Sequence, residues 1–228
     1  MSELFYAVAI DGPSGAGKST LARTVAEKLQ FVYVDTGAIY RSIGWYALHN
    51  GVATDDADAV AALLEGLNIE IQYGEDGLQH MLVNGKDVTA EIRRPEVSAA
   101  ASKVAAIPAV RSYLLEMQRA LARTHNVIMD GRDIGTVVLP DAKCKIFLTA
   151  SAETRAQRRC KELEERGTPQ DYAAVLEDMR RRDELDCSRA VAPLKQAEDA
   201  VLLDTSELNF EESAAALLAL IKEKINEA

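Results

Sequence analysis

The first apolar run of the chain covers residues 5–10, with one tyrosine in it, and ends at the polar Asp11. A nearly continuous apolar run, without the alternation of a half-exposed strand, is typical of a buried parallel strand. After a short glycine-rich stretch, apolar residues recur at helical spacing: Leu21, Ala22, Val25, Ala26 and Leu29. The pattern therefore predicts a buried strand, a loop over residues 12–17 and a helix that begins near Lys18.

Strand and helix patterns then alternate along most of the chain. Alternating elements of this kind predict an α/β fold. Further strands are predicted at residues 32–34, 127–129, 144–149 and 200–204, and further helices at 37–49, 54–67, 95–105, 108–124 and 210–225.

One stretch departs from this alternation. Residues 68–73, 79–83 and 86–88 are short β-like runs, separated by Asp76-Gly77 and by Asn84-Gly85. Asp-Gly and Asn-Gly pairs between such runs are strong signals for hairpin turns. The stretch therefore predicts a small antiparallel sheet inserted into the α/β chain.

The loop after the first strand carries candidate chemistry. It fits the P-loop pattern G-x-x-x-x-G-K-[ST] through Gly12, Gly17, Lys18 and Ser19. Its glycines let backbone N–H groups surround an anion, and the helix that follows adds the positive end of its dipole. In this motif the lysine reaches the β- and γ-phosphates and the serine hydroxyl holds Mg²⁺. The predicted ATP-binding residues here are Gly12, Pro13, Ser14, Gly15, Ala16, Gly17, Lys18, Ser19 and Thr20.

Composition narrows the class of protein further. The chain has 228 residues and is 48% hydrophobic, which suits one α/β domain with inserts. Its net charge of −10 argues against a general nucleic-acid or membrane surface. Nothing resembles a secretory signal or a membrane span, and the three cysteines lack C-x-x-C spacing, which is typical of reduced thiols. We expect a cytoplasmic monomer with no nucleic-acid or membrane partner.

Two polar clusters follow predicted strands, where an open α/β sheet faces its ligand crevice. In residues 35–41, Arg41 is either an ordinary surface arginine or the ligand of a second phosphate group. In residues 130–135, Arg132 lies between Asp130 and a second aspartate, and the apolar strand followed by Asp130 resembles a Walker-B position. Charges packed this closely at a strand end indicate a site or a salt-bridged turn.

An arginine-rich segment follows the fourth strand in this otherwise acidic chain. Gly-Thr-Pro at residues 167–169 divides the segment into two predicted helices. Arginine grips phosphate with a bidentate fork, although interleaved glutamates also suit a solvated helix with i,i+4 pairs. We expect three or four of these arginines to be functional and the others to lie in surface pairs. The eight are Arg155, Arg158, Arg159, Arg166, Arg180, Arg181, Arg182 and Arg189.

Four blocks of the sequence resemble the motifs of bacterial cytidylate kinases, in order and at matching spacing. They cover residues 10–18, 35–41, 130–138 and 188–194. The resemblance implies phosphoryl transfer from MgATP to CMP or dCMP by a P-loop NTPase three-layer fold with a five-stranded parallel sheet. It also implies a single nucleoside monophosphate kinase domain over 1–228, with an acceptor-binding insert at about 63–101 and a helical lid at about 156–190.

The resemblance assigns roles to individual residues. Ser102, Arg111 and Asp133 match positions that hold cytosine; Arg41 and Arg132, with Tyr40 beside them, match positions at the acceptor phosphate. Asp186 matches a sugar contact, Arg182 and Arg189 match lid arginines that meet the phosphates, and Arg158 joins the ATP-binding set. The implied CMP-binding residues are Thr36, Tyr40, Arg41, Ser102, Arg111, Arg132, Asp133, Arg182, Asp186 and Arg189, and the implied catalytic residues are Lys18, Arg132, Arg182 and Arg189.

Two positions depart from some relatives of that family. Thr36 stands where others have serine and keeps the hydroxyl; Ser19 stands where others have glycine and restores the P-loop ligand for Mg²⁺. Two other functions are compatible with a P-loop: that of a kinase acting on a hydroxylated metabolite and that of a nucleotide-switched binding protein. The β insert and residues 130–133 argue against the first, and the missing N-K-x-D and D-x-x-G motifs argue against the second.

Overall fold

The structure, a computed structural model, describes residues 5–75, 77–165 and 167–227. The strands are β1 (Ala7–Asp11), β2 (Val32–Asp35), β3 (Ile69–Tyr73), β4 (Gln79–Val83), β5 (Lys86–Asp87), β6 (Val127–Gly131), β7 (Cys144–Thr149) and β8 (Val201–Asp204). The α-helices are α1 (Lys18–Leu29), α2 (Thr36–His49), α3 (Ala57–Leu63), α4 (Pro95–Val104), α5 (Pro108–Thr124), α6 (Ala152–Glu165), α7 (Tyr172–Ser188) and α8 (Phe210–Asn226).

The chain packs as two compact units. Of the described residues, those up to Tyr33 and from Thr124 onward form the P-loop unit, and those within Val34–Arg123 form the central unit. The five-stranded sheet has the order β2-β6-β1-β7-β8. β1 pairs in parallel with β6 and with β7, and β7 pairs in parallel with β8. The predicted α/β class with a five-stranded parallel sheet is confirmed.

The core of the P-loop unit explains why β1 and α1 form as predicted. Val8 and Ile10 of β1 are fully buried, as a central strand covered on both faces requires. Leu21 and Val25 of α1 point into the same apolar cluster, together with Leu217 of α8. This packing fixes the strand and the helix on either side of residues 12–17.

The central unit contains the predicted small antiparallel sheet, in the order β3-β4-β5. Asn84 and Gly85 form its second turn with φ of 49° and 79°, the positive angles that a tight hairpin turn demands. The first predicted turn includes Asp76, which lies outside the described residues. Met81 and Val83 of β4 are buried, so this sheet has one apolar face.

Some predicted elements differ in detail. The helix predicted at 54–67 begins at Ala57, because the Asp56 carboxylate caps it by accepting from the Ala59 N–H at 3.0 Å, and it ends in a 3₁₀ turn at Leu64–Gly66. Residues Ile134–Val138 form a π-helical turn that periodicity did not predict. Among the described residues, no helix is long and apolar enough to cross a membrane.

Candidate active site

The glycine loop joins β1 to α1 in a conformation that only glycine allows at its first position. Gly12 has φ of +152°, and a Cβ atom added there would lie 1.9 Å from the carbonyl oxygen of Leu148 in β7. Gly17, with φ of +86°, forms the N-cap of α1 and leaves the first helical N–H groups without a side-chain cap. Uncapped N–H groups at a helix start, below a glycine loop, suit a bound phosphate.

Gly12→Ala is expected to lower the free energy of unfolding by about 2–4 kcal/mol, since the added methyl group meets β7 backbone and the positive φ is strained. Chemical denaturation measures the change. Gly51→Ala is a matched control: Gly51 also has a positive φ, +68°, but nothing lies within 4 Å of an added Cβ. Equal destabilisation in the two variants would contradict a steric origin at Gly12.

Lys18 is the first residue of α1 and is only 5% exposed. Its Nζ donates to the carbonyl of Pro13 at 2.8 Å, so the side chain folds back along the loop. Burial lowers the pKa of Lys18 and the nearby Arg132 lowers it further, while Asp130, Asp11 and other carboxylates raise it. An incoming phosphate anion would favour the charged ammonium.

A hydroxyl and a carboxylate meet beside the loop. The Ser19 hydroxyl donates to Asp130 Oδ2 at 2.9 Å, and the Tyr33 hydroxyl donates to Asp130 Oδ1 at 2.8 Å. Mg²⁺ prefers oxygen ligands and is usually held by one or two protein groups together with substrate phosphates and water. Ser19 and Asp130 therefore fit Mg²⁺.

Three partly buried arginines surround one buried aspartate near the end of α7. Asp186 is 5% exposed; it accepts from Arg132 Nε at 2.8 Å and from Arg189 Nη2. Burial alone would raise the pKa of Asp186, but Arg132 and Arg189 outweigh it and the pKa is lowered. Burial lowers the pKa of Arg182, and repulsion by Arg132 adds to that effect. Asp186 is thus shared between two arginines, and Asp178 is a further negative charge near Arg182. Several arginines close together suit the binding of a phosphate group.

Residues 130–135 are held to the strand that precedes the P-loop. The Asp11 carboxylate accepts from the Ile134 N–H at 2.7 Å and from the Gly135 N–H at 2.8 Å. Burial raises the pKa of Asp11 to about 6, although these two hydrogen bonds oppose the rise. Asp133, just before this turn, is 4% exposed. The arrangement fixes the backbone that carries Arg132 and Asp133.

The central unit brings together several other predicted residues. Asp35 accepts from the Ala38 N–H at 2.8 Å and so caps α2, and its other oxygen accepts from Arg41 at 2.8 Å. The Arg41 Nε is buried without a hydrogen-bond partner, so Asp35 satisfies only part of this guanidinium. The Arg111 guanidinium lies 5.6 Å from the ring centre of Tyr40 and donates to the carbonyl of Ala105 at 3.2 Å.

Two further predicted residues of this unit lie on α2 and on α4. Thr36 begins α2 and is 2% exposed. Ser102 lies on α4, and its hydroxyl donates to the carbonyl of Ser98 at 3.4 Å.

The arginines of the segment after β7 differ widely in their surroundings. Arg158 donates to the carbonyls of Thr205 and Leu208 at 2.6 and 3.2 Å, so its ATP-binding role stays a prediction. Three others form pairs with acidic side chains at half-exposed or exposed positions: Arg159, Arg180 and Arg181. Arg166 lies outside the described residues.

Known proteins match this chain over nearly its whole length. Residues 8–223 match the family model described as cytidylate kinase. The chain belongs to the cytidylate kinase family. The cytidylate kinase of Carboxydothermus hydrogenoformans is 51% identical, with 95% of this chain and 97% of that protein covered. The cytidylate kinase of Geobacillus sp. (strain WCH70) is 49% identical, with 96% and 97% covered.

Similarity of fold extends further than similarity of sequence. The crystal structure of an uncharacterized protein from Eubacterium ventriosum matches with a TM-score of 0.50 at 12% identity, covering 98% of this chain and 99% of that chain. At this identity the likeness concerns the fold alone.

Sequence reasoning missed several residues that organise this cytidylate kinase family site. Asp11 orients residues 134–135, and Asp130 was noted as a Walker-B resemblance in a charged cluster but not as the partner of Ser19. Asp35 was expected only as a possible cap of α2, not as the partner of Arg41. A polar residue at the end of each apolar strand was the available signal. That signal did not say which distant group each carboxylate would meet.

Proposed function

We propose that this kinase transfers the γ-phosphoryl group of MgATP to CMP or dCMP, and so produces ADP and CDP or dCDP. Membership of the cytidylate kinase family over nearly the whole chain carries the proposal. The P-loop and the cationic cluster at Asp186 supply two places for phosphate groups within the P-loop unit.

On the donor side, residues 12–20 hold the triphosphate of ATP through backbone N–H groups, with Arg158 as a further contact. Ser19 and Asp130 hold Mg²⁺, which when bound neutralises charge on the phosphate oxygens. The Lys18 ammonium sits at the β- and γ-phosphates. In-line phosphoryl transfer depends mainly on positioning and charge neutralisation, which these groups provide.

On the acceptor side, Arg41, Arg132 and Tyr40 hold the phosphate of CMP. The attacking oxygen belongs to that phosphate and is already anionic, so no residue is needed as a general base. Arg182 and Arg189 offset the charge that builds up during transfer, and Asp186 contacts the sugar.

The base is read by polar groups of complementary hydrogen-bonding character. Asp133 accepts from the 4-amino group of cytosine and Arg111 donates to N3, with the hydroxyls of Ser102 and Thr36 alongside. Both charged groups are nearly buried, at 4% and 9% exposed, so a mismatched base would leave a buried charge unpaired.

A panel of nucleoside monophosphates tests the function directly. ADP release from ATP, followed by a coupled assay, should be fast with CMP and dCMP and slow with UMP, AMP and GMP. Slow ATP hydrolysis that is indifferent to every monophosphate would overturn the proposal.

The lid, residues 156–190, should be mobile without ligands and ordered with both nucleotides. Like charges on Arg132 and Arg182 repel until a phosphate lies between them, and ordering excludes water that would otherwise hydrolyse ATP. Hydrogen exchange should therefore slow across the lid when CMP and a non-hydrolysable ATP analogue are added together. Exchange in α8 serves as the internal control, and lid exchange that ligands leave unchanged would contradict the prediction.

We also propose a cytoplasmic monomer that acts as one kinase domain and binds neither nucleic acid nor membranes. The three cysteines are free thiols, which suits a reducing compartment. The net charge of −10 opposes non-specific binding to nucleic acid.

A further inference from the structure

One buried arginine at the start of α6, directly before the lid, contacts both the P-loop and α7. Arg155 lies in the first turn of α6 and is 4% exposed. Its Nη1 donates to the carbonyl of Ser14 at 2.9 Å, and its Nη1 and Nη2 donate to the two oxygens of Asp183 at 3.2 and 2.6 Å. Its Nε donates to the carbonyl of Ala150 at 2.9 Å. These bonds hold the planar guanidinium in one orientation and compensate its burial.

The bond to Ser14 controls the direction of a P-loop peptide. In a trans peptide the C=O and the following N–H point in opposite directions, so holding the Ser14 carbonyl also aims the Gly15 N–H. Gly15 packs tightly against α6 and α7: an added Cβ would lie 2.8 Å from Met179 Cε and 3.5 Å from Arg155 Cβ. Arg155 thus fixes one of the amides that surround the triphosphate.

The bond to Asp183 controls the position of α7 near its end. Asp183 directly follows Arg182, and Asp186 lies three residues further along, on the same side of the helix. Asp186 in turn accepts from Arg132 at 2.8 Å. An anchor at Asp183 therefore fixes the part of α7 that carries the phosphate-facing groups.

We propose that Arg155 is a positioning residue for phosphoryl transfer, which ties the P-loop at Ser14 to α7 at Asp183 and so sets the lid arginine Arg182 relative to the triphosphate. The proposal rests on the proposed function, because Arg182 is taken to meet the transferring phosphate. This tie fixes the start of α6 and the end of α7, and it leaves the opposite ends of the two helices free to move.

The same two helices carry a matched control pair. Arg180 of α7 donates to Glu153 of α6 at 2.8 Å, but the two side chains are 55% and 52% exposed. Exposed ion pairs of this kind contribute little. Glu153→Gln and Arg180→Gln should therefore leave kcat within about twofold of wild type.

Two variants separate the effect of the bond to Ser14 from the effect of the bond to Asp183. Arg155→Lys keeps a positive charge beside Asp183 but has no fork to reach both partners; we expect kcat to fall about 10–100-fold and the ATP affinity to fall as well. Asp183→Asn leaves the bond to Ser14 in place, so kcat should fall about 10-fold while ATP affinity stays within about twofold. Asp183 is 23% exposed, so its conservative change should not prevent folding.

The experiment measures kcat at saturating ATP and CMP, ATP affinity by calorimetry, and the folded fraction by circular dichroism. In the double variant Arg155→Lys/Asp183→Asn, kcat should fall little below that of Arg155→Lys, because both changes break the same link. The proposal would be overturned if Arg155→Lys lost no more kcat than Glu153→Gln. It would also be overturned if Arg155→Lys and Asp183→Asn bound ATP with equal affinity.

The wild-type enzyme tests the proposed function separately from the role of Arg155. A wild-type enzyme that binds ATP without phosphorylating CMP would refute the function, and ATP affinity would then decide the role of Arg155. Weaker binding in Arg155→Lys alone would support the link to Ser14, and unchanged binding in both variants would overturn it.

Discussion

Lys18→Ala should fold normally and lose turnover by about 10²–10³-fold or more, a loss of about 3–5 kcal/mol of transition-state stabilisation. Lys18 is the P-loop cation expected at the transferring phosphate, where negative charge must be offset as the bond to ADP breaks. The side chain is nearly buried and its Nζ donates to the Pro13 carbonyl. Its removal costs packing but also removes the desolvation cost of a buried ammonium, so the fold should persist. Steady-state kinetics at saturating ATP and CMP measure the effect.

Lys28→Ala is the control for this prediction. Lys28 lies in the last turn of the same helix and is exposed, so its removal changes net charge equally without touching the loop. Retention by Lys18→Ala of more than about a third of the wild-type kcat would remove the P-loop from the mechanism.

Asp133→Ala should reduce the preference for CMP over UMP, which we expect to be about 10²–10³ in kcat/KM in the wild type. Cytosine offers an amino donor at position 4 and an acceptor at N3, and uracil reverses both at almost the same shape. UMP would therefore place O4 against the Asp133 carboxylate and its N3 proton against the Arg111 guanidinium. A buried polar group left unpaired costs about 1–3 kcal/mol, and more when charged.

The variant should damage CMP use chiefly, while ATP binding stays near normal because the P-loop is untouched. The measurement is kcat/KM for CMP and UMP at saturating ATP, with Asp141→Ala, an exposed aspartate of the same unit, as the control. An unchanged CMP-to-UMP ratio would mean that Asp133 does not read the base and instead orients Arg132.

Elements that depend on local pattern could be predicted from the sequence. The strand, glycine loop and helix around Lys18 are where the apolar spacing placed them, because burial of β1 and of one face of α1 requires that spacing. The hairpin at Asn84-Gly85 was predictable because those residues tolerate the positive φ angles of a tight turn. The four motif blocks identified the family for the same reason: each is continuous in sequence.

Contacts between groups far apart in sequence were decided only by the tertiary structure. Ser19 meets Asp130 because β1 and β6 are neighbours in the sheet, and nothing in either segment specifies that neighbour. Asp11 likewise meets the turn at residues 134–135 across the same strand pair. Strand order is a property of topology, which hydrophobic periodicity does not report.

The arginines after β7 illustrate the same limit most clearly. All eight looked alike in sequence, since each is a cation on an acidic, helical background. The fold buries Arg155 against Ser14 and Asp183, turns Arg158 toward backbone carbonyls, and leaves Arg180 and Arg181 in solvent-exposed pairs. Sequence alone determined that positive charge gathers in the segment after β7. The packing of α6 and α7 within the P-loop unit decided the surroundings of each arginine, because burial and partner distance set the energy of each charge.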